Sequence, residues 1–312
     1  MKTVAATIIG LAVLLVGTEQ NFAAGKPEQT LYTGVPAAFD DRSVGAFSDL
    51  GAWHGFALPS ADDKDSAGEF VGPLLFDEGI WVSPALVAAH IEVDGQDLDY
   101  ESAHATYFAE PGILRQQFTI GTLVVELTLH YETSKRAVII AKIDNQGERP
   151  VSVRANWGGA TFSEQDRFTM QEFGVALTTP GGDRVSVFSP GHQASTDRNQ
   201  YLLEQLEPRQ VAAQSVEFFP VTVLLGKDES SVHIDAASSL AAREQRWTEY
   251  KSAIATGHAT THPQQILADK ALMTLVSNWR SPRGGLTVDG LFPSSAVSYF
   301  NGFWAWDSWK HA

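Results

Sequence analysis

Leu123-Val124-Val125-Glu126-Leu127-Thr128-Leu129-His130-Tyr131 is the stretch that decides the fold class. Large apolar side chains occupy every second position, and most of the positions between them carry polar side chains, including Glu126, Thr128 and His130. Successive side chains of a β-strand point to opposite faces, so this alternation predicts a strand with one buried face. The chain around it is therefore expected to be built on a sheet.

The neighbouring segments continue this pattern. Residues 137–143 form a β-branched run, and the turn-rich residues 144–150 connect it to a third predicted strand at 151–157. Further strand candidates, separated by glycine, proline and asparagine, are residues 113–120, 167–173, 175–178, 184–188 and 216–225. Many short strands between turn signals are typical of an antiparallel β-sandwich. We predict a mainly β protein whose N-terminal β-sandwich covers residues 26–232.

The period changes to that of a helix near Asp235. Apolar side chains then recur at mostly three- and four-residue steps, at Ala236, Leu240, Trp247, Tyr250 and Ile254. This predicts a linker helix within residues 233–262, with Asp235 as its N-cap. A second helix is predicted for residues 263–279, with Pro263 in its first turn and Ile266, Leu272, Leu275, Val276 and Trp279 on its apolar side.

The N-terminus has the three-part form of a secretory signal peptide. A lysine at position 2 is followed by an apolar run at residues 4–16 and by the small residues Ala23-Ala24-Gly25. The run is shorter than the ~18 to 20 residues of a membrane-spanning helix. We expect residues 1–25 to be cleaved, which predicts a periplasmic or secreted protein without membrane contact; an uncleaved anchor is the alternative.

Composition excludes several classes of function. The formal net charge of −15 and the pI near 4.9 argue against nucleic acid or an anionic membrane as a partner. The chain has no cysteine, and its nine histidines lack metal-ligand spacing, so no metal and no cofactor are predicted. His90, His104 and His130 are interpreted as structural or solvated. The acidic residues 62–68 lack the pattern of a calcium loop and are interpreted as a solvated loop.

The C-terminal residues 299–312 are the strongest candidate for a site. Six aromatic side chains surround one carboxylate, Asp307, in Tyr-Phe-Asn-Gly-Phe-Trp-Ala-Trp-Asp-Ser-Trp-Lys-His-Ala. Aromatic faces match the C–H faces of a sugar, and polar neighbours can pair with its hydroxyls. The alternative is core packing, because Phe303, Trp306 and Trp309 lie at roughly helical spacing.

This part of the chain resembles a known family. The run Asn-Trp-Arg-Ser-Pro at 278–282, the pair Asp289-Gly290 and the aromatic stretch are similar to the start of the catalytic barrel in bacterial α-glucosidases of glycoside hydrolase family 63. The resemblance implies an (α/α)6 barrel that begins at residues 263–312, and inverting hydrolysis of terminal α-linked glucose from an oligosaccharide substrate. It also implies that the catalytic acid and base lie beyond Ala312, so the 312-residue chain is expected to be an inactive fragment of a glycosidase.

The resemblance also suggests roles for residues of the aromatic stretch. Asp307 is the candidate for hydrogen bonds to sugar hydroxyls. The candidates for stacking are Trp304, Trp306 and Phe303, and the weaker polar candidates are Asn301 and Lys310.

Two other functions remain open. One is a non-catalytic carbohydrate-binding module, in which the sandwich binds sugar through Trp53, Trp81 or Trp157. The other is a structural or assembly protein whose aromatic end docks on a protein partner. The sequence does not predict an oligomeric state.

Overall fold

The structure is a computed structural model that describes residues 32–60, 62–100, 102–226, 234–255, 262–297, 300 and 302–306. The predicted signal peptide lies outside these residues. Neither helix in the described part of the chain is long and apolar enough to cross a membrane.

The described chain contains β-strands followed by two helices and a short hairpin. In chain order the elements are β1 (His54–Ala57), β2 (Glu69–Leu75), β3 (Ile80–Trp81), β4 (Ala85–Val93), β5 (Gln96–Asp97), β6 (His104–Glu110), β7 (Ile113–Ile120), β8 (Leu123–Thr133), β9 (Arg136–Asn145), β10 (Val151–Ala160), β11 (Thr169–Gln171), β12 (Gly174–Thr178), β13 (Arg184–Phe188), β14 (His192–Asp197), β15 (Gln200–Gln205), β16 (Arg209–Val211), β17 (Ser215–Leu225), α1 (Ala236–Ala255), α2 (His262–Asn278), β18 (Trp279–Arg280) and β19 (Gly290–Leu291). The prediction of a mainly β protein is confirmed.

Two antiparallel sheets form the sandwich. One has the order β1-β2-β4-β10-β15-β14, with β3, β5 and β16 paired to its members, and the other has the order β11-β12-β13-β17-β9-β8-β7-β6. Inward side chains of both sheets join in one buried apolar cluster, which includes Leu127 of β8 and Trp157 of β10. The alternation predicted for β8 is confirmed, because Leu123, Val125, Leu127, Leu129 and Tyr131 are all buried and all but Leu123 belong to this cluster.

The outer face of β8 and β9 is also covered, which differs from the half-solvated strand that the sequence suggested. Helix α1 lies over it, and His130 is buried with its Nε2 atom 2.7 Å from the Ser239 hydroxyl. Val138 and Ile140 of β9 pack with Ile234 and other residues at the start of α1. A strand covered on both faces has no need of polar side chains, which explains the unbroken apolar run at residues 137–141.

Most predicted strands form, with some changes at their ends. The predicted strands 113–120 and 184–188 match β7 and β13. The predicted strand 167–173 shrinks to β11, because Phe173 adopts a positive φ of 62° and turns the chain. The structure also contains short strands that the sequence analysis did not predict, among them β1 and β3.

Helix α1 begins after Asp235 as predicted, and α2 lies one residue earlier than predicted at both ends. The Asp235 carboxylate accepts hydrogen bonds from the backbone N–H groups of Ala237 and Ser238, at 3.1 and 3.2 Å, which is the geometry of an N-cap. Helix α2 ends at Asn278, and Trp279 starts β18 instead of lying on the helix. Of the predicted barrel start, the described residues show only α2 and the β18–β19 hairpin, so the barrel stays a prediction.

Candidate functional site

The segment after α2 forms a hairpin that ends close to the aromatic stretch. Gly284, with a φ of 57°, makes the turn, and strands β18 and β19 pair beside it. The indole Nε1 of Trp279 donates a 3.0 Å hydrogen bond to Asp289, so the two motif segments quoted in the sequence analysis meet across this hairpin. Sequence spacing alone did not predict that contact.

The hairpin is attached to the sandwich through the backbone of Ser281. The Ser281 N–H donates to the Gly51 carbonyl at 2.9 Å, and the indole Nε1 of Trp53 donates to the Ser281 carbonyl at 2.8 Å. Gly51 has a φ of 70°, and a Cβ at this position would lie 2.6 Å from the Ser281 nitrogen. Only glycine therefore permits this close approach.

Arg280 is fully buried between the sandwich and the helices. Its Nη1 atom donates to the Ser48 hydroxyl at 3.0 Å and to the Ser277 carbonyl at 2.7 Å, and its guanidinium carbon lies 3.6 Å from the centre of the Phe76 ring. Burial lowers the pKa of Arg280 to about 9, so the side chain remains a cation at neutral pH. No described residue accepts a hydrogen bond from its Nε or Nη2 atom. Arg280 therefore positions the hairpin and lies too deep to reach a ligand.

A second buried charge fixes helix α1 to the same N-terminal segment. Asp49 has no exposed surface, and its two oxygens each accept a 2.9 Å hydrogen bond from Arg246. The indole of Trp247 adds a third bond, also at 2.9 Å. We call the contact region formed by Ser48, Asp49, Gly51, Arg246 and Arg280 the junction. It holds both helices and the hairpin against the sandwich.

The carboxylates next to the hairpin are bound in ion pairs. Arg283 contacts Asp77 at 2.9 Å and also contacts Asp183. Burial raises the pKa of Asp77, and the Arg283 guanidinium opposes that rise. One guanidinium engages both carboxylates, so Asp77 and Asp183 are not arranged as a free acid and a free base.

The aromatic stretch itself is exposed. The exposed fractions are 42% for Phe303, 45% for Trp304 and 67% for Trp306. Phe300 and Trp304 meet edge to face, with ring centres 5.5 Å apart. Phe303 lies against Gly290 of β19, where any added Cβ would overlap its ring.

Arg42 supports the chain that leads into this stretch. Its Nη1 atom donates to the Ser295 carbonyl at 3.1 Å, and its Nη2 atom donates to the Gly79 carbonyl at 2.9 Å. One side chain of the sandwich therefore connects the aromatic stretch to the loop before β3. The four described aromatic residues of the stretch lie at the end of a braced segment.

Three of the six predicted site residues can be located. Phe303, Trp304 and Trp306 lie together on the exposed stretch, which argues against core packing within the described part of the chain. Asn301, Asp307 and Lys310 lie outside the described residues, so their roles stay predictions.

The tryptophans of the alternative binding module are not available to a ligand. The exposed fractions are 8% for Trp53, 1% for Trp81 and 0% for Trp157. Trp53 packs edge to face on Phe292, with ring centres 5.4 Å apart, as part of the contact with the hairpin. Their burial indicates that these tryptophans pack in the core of the sandwich. Among the residues that the structure describes, no group of three or more histidines and carboxylates is arranged to hold a metal ion.

Sequence reasoning did not single out Arg42, Asp49, Arg280 or Arg283. Asp49 and Arg280 each stand next to large apolar residues, Leu50 and Trp279, and a charge in such a setting is a signal of a buried pair or of a site. That signal was weak because neither partner is close in sequence: Arg246 follows Asp49 by 197 residues.

Part of this chain matches the model of a glucosidase family. Residues 24–175 match the family model named "Glucosidase YgjK, N-terminal". This match covers just under half of the chain and most of the sandwich. The sandwich is therefore similar to the N-terminal domain of those glucosidases.

Solved structures similar to this chain come from several carbohydrate-active enzymes. The match to a kojibiose phosphorylase from the human microbiome covers 78% of this chain, with 9% identity and a TM-score of 0.36. An aldose 1-epimerase from Escherichia coli K12 covers 58% with 9% identity and a TM-score of 0.43, and heparan sulfate lyase HepC from Pedobacter heparinus covers 46% with 11% identity and a TM-score of 0.31. The matches extend over 34% of the phosphorylase, 98% of the epimerase and 25% of the lyase. This chain thus spans about a third or less of the phosphorylase and lyase chains.

Proposed function

We propose that this protein is a glycoside hydrolase of the α-glucosidase type, related to family 63, that releases terminal α-linked glucose from oligosaccharides with inversion. The observation that carries the proposal is the match of residues 24–175 to the N-terminal domain of a glucosidase family. The motif of residues 278–312 supports it independently, because it follows the sandwich in the order expected for that class of enzyme.

In this proposal the aromatic stretch binds the sugar. Phe303, Trp304 and Trp306 present apolar ring faces to solvent, and such faces gain free energy when they cover the C–H face of a sugar. Asp307 follows Trp306 directly and is assigned the hydrogen bond to sugar hydroxyls. Asn301 and Lys310 are assigned weaker polar contacts.

Inversion requires a carboxylic acid that protonates the leaving oxygen and a carboxylate that activates water, ~6.5 to 9.5 Å apart. We assign neither role to Asp77 or Asp183, because both contact Arg283. The function of the described part is therefore to bind sugar and to brace the aromatic stretch.

The proposal includes export of the protein to the periplasm or the medium, directed by residues 1–25. A neutral oligosaccharide is compatible with the acidic chain, since the net charge of −15 does not repel it. Mass spectrometry of the protein from its source cells tests the export step: a mature N-terminus near residue 26 is expected, and an intact Met1 would contradict cleavage.

Hydrolysis is tested with the protein expressed from its intact gene. Kojibiose, nigerose and a nitrophenyl α-glucoside are the substrates, and the matching β-glucoside is the control. Glucose release from at least one α-linked substrate is expected, with the β-anomer appearing first in a proton NMR time course. Release of the α-anomer first would rule out inversion, and no hydrolysis of any α-glucoside would refute the proposed activity.

Sugar binding by the aromatic stretch is tested separately. Trp306→Ala and Asp307→Ala are each expected to weaken glucose binding or turnover by about tenfold, which corresponds to ~1.4 kcal/mol. Phe303→Ala and Phe108→Ala form a matched pair, because each phenylalanine is 42% exposed and only Phe303 lies in the stretch. An equal effect of the two phenylalanine variants would contradict a specific role for the stretch.

A further inference from the structure

A cleft opens at the edge of the sandwich, beside the start of α1. Its volume is about 760 Å³. Four chain segments line it: the β13–β14 connection with the start of β14, the end of β15 with the start of β16, the middle of β17, and the N-terminal end of α1. None of its lining residues belongs to the aromatic stretch or to the junction.

The cleft exists because the two sheets separate at this edge. Strands β14 and β15 belong to one sheet and β17 to the other, and the connection at residues 189–191 crosses between them. The Ser189 hydroxyl donates to the Pro220 carbonyl at 3.0 Å and fixes this connection on β17. Ile234 and Ala236 pack on the outer face of β9, so α1 forms the remaining wall.

The lining combines apolar faces with polar groups. Pro190, Leu206 and Phe218 supply apolar surface, and Leu206 is 57% exposed. Polar side chains in the same lining are Gln205, Glu207 and Thr222. A few polar groups on a mainly apolar wall are typical of small-molecule sites, whose volumes run from ~300 to 1,000 Å³.

The charges of the lining disfavour an anionic ligand. Arg209 contacts Glu217, donates to the Phe218 carbonyl at 2.8 Å and lies 4.7 Å from the centre of the Phe219 ring. Its charge is therefore engaged within the protein. Glu207 and Asp235 add negative charge to the same walls. The carboxylates would repel a phosphate or a uronic acid, whereas they would not repel a neutral molecule.

We infer that this cleft is an accessory binding site for a neutral oligosaccharide, separate from the aromatic stretch. Sugar C–H faces would lie on Pro190 and Phe218, and hydroxyls would pair with Glu207 and Thr222. The Gln205 amide shapes the wall, because it already accepts from the Ala155 N–H and donates to the Glu207 carbonyl. The choice of a sugar over other neutral hydroxylated molecules rests on the proposed function. The location of the site does not.

The test uses maltotriose carrying a photoreactive diazirine, irradiated with the intact protein and mapped by peptide mass spectrometry. Labelling is expected on residues 189–192 and 205–209, and excess unlabelled maltotriose should suppress it. Ala237→Trp fills the cleft from an exposed position on α1 and is expected to lower this labelling at least tenfold. Ala242→Trp is the matched control, because Ala242 is exposed on the same helix and does not line the cleft.

The outcomes separate the two sites. Labelling confined to residues 300–306 would overturn the accessory site and leave the proposed function standing. Labelling confined to the cleft would support the accessory site and contradict the role of the aromatic stretch. Equal loss in the Ala237→Trp and Ala242→Trp variants, or labelling that unlabelled sugar does not suppress, would overturn the inference. Absence of labelling at both sites would overturn both proposals.

Discussion

Asp49→Ala tests the junction, and its effect can be worked out from the structure. Asp49 is completely buried and pairs through both oxygens with Arg246, which is 19% exposed. Removal of one partner of a buried ion pair costs ~3 to 5 kcal/mol, because the other charge stays buried without compensation. The partial exposure of Arg246 lets water reach it, so this part of the loss is expected near ~3 kcal/mol.

The same substitution removes two other hydrogen bonds. The Trp247 indole loses its acceptor at 2.9 Å, and the Leu50 N–H loses its own at 2.7 Å. Each unpaired donor adds ~1 kcal/mol where water cannot replace the acceptor. The total expected loss in the free energy of unfolding is therefore ~3 to 5 kcal/mol.

Urea unfolding followed by circular dichroism measures this loss. A double-mutant cycle with Arg246→Ala should give a coupling energy of at least ~1.5 kcal/mol, because the two side chains act as one pair. The control is Glu132→Ala, because Glu132 is 24% exposed and pairs with Arg136 through one longer contact of 3.5 Å, so its loss should cost less than ~1 kcal/mol. A loss below ~1 kcal/mol for Asp49→Ala, or additive single variants, would refute the reasoning.

Three further predictions address packing, pH and the aromatic stretch. Gly112→Ala should lower the free energy of unfolding by ~1 to 3 kcal/mol, because Gly112 has a φ of 77° and an added Cβ would overlap the Trp247 indole. The control is Gly121→Ala, which has open space around it and should cost ~1 kcal/mol or less. Thermal unfolding measures both. Burial holds the pKa of His54 at about 3, so the unfolded chain binds a proton below pH ~6.5 that the folded chain rejects. The contribution of His54 to stability should therefore fall between pH ~6.5 and 3 by up to ~1.4 kcal/mol per pH unit, and buried His130 adds a similar slope. His54→Phe should reduce the total slope, but not remove it, in urea unfolding at pH 7 and 5. Arg42→Ala should weaken oligosaccharide binding roughly fivefold, about 1 kcal/mol in calorimetry, because the aromatic stretch loses its brace; unchanged affinity would contradict this role.

Strands of the sandwich could be predicted where the pattern of apolar and polar residues lies within the strand itself. In β8 the alternation of apolar and polar side chains is a local property, and it identified the inward face correctly. The burial of His130 on the other face could not be read from β8, because it depends on α1, more than 100 residues later in the chain. Periodicity reports the faces of an element, and tertiary contacts decide what covers them.

The candidate site likewise has one part that the sequence reveals and other parts that only the folded chain brings together. The aromatic stretch was visible in the sequence because six rings in 14 residues depart strongly from the average composition. The cleft beside α1 was not visible, since four ordinary segments form it only after folding. The junction was missed for a related reason: Asp49 and Arg280 look unremarkable until Arg246 and Ser48 are found beside them.

The junction also explains how a sandwich can orient an aromatic stretch that contributes little to the sandwich core. An apolar contact between helix and sheet can slide at small cost, because dispersion and the hydrophobic effect are not directional. Arg280 and Asp49 remove that freedom. Arg280 donates to the Ser48 hydroxyl and the Ser277 carbonyl, and Asp49 accepts from Arg246 and Trp247, so a shift of either helix would leave a buried charge unpaired. The cost of leaving either buried charge without its hydrogen bonds therefore favours one position of the helices on the sandwich. That position also determines where the exposed rings of residues 303–306 lie.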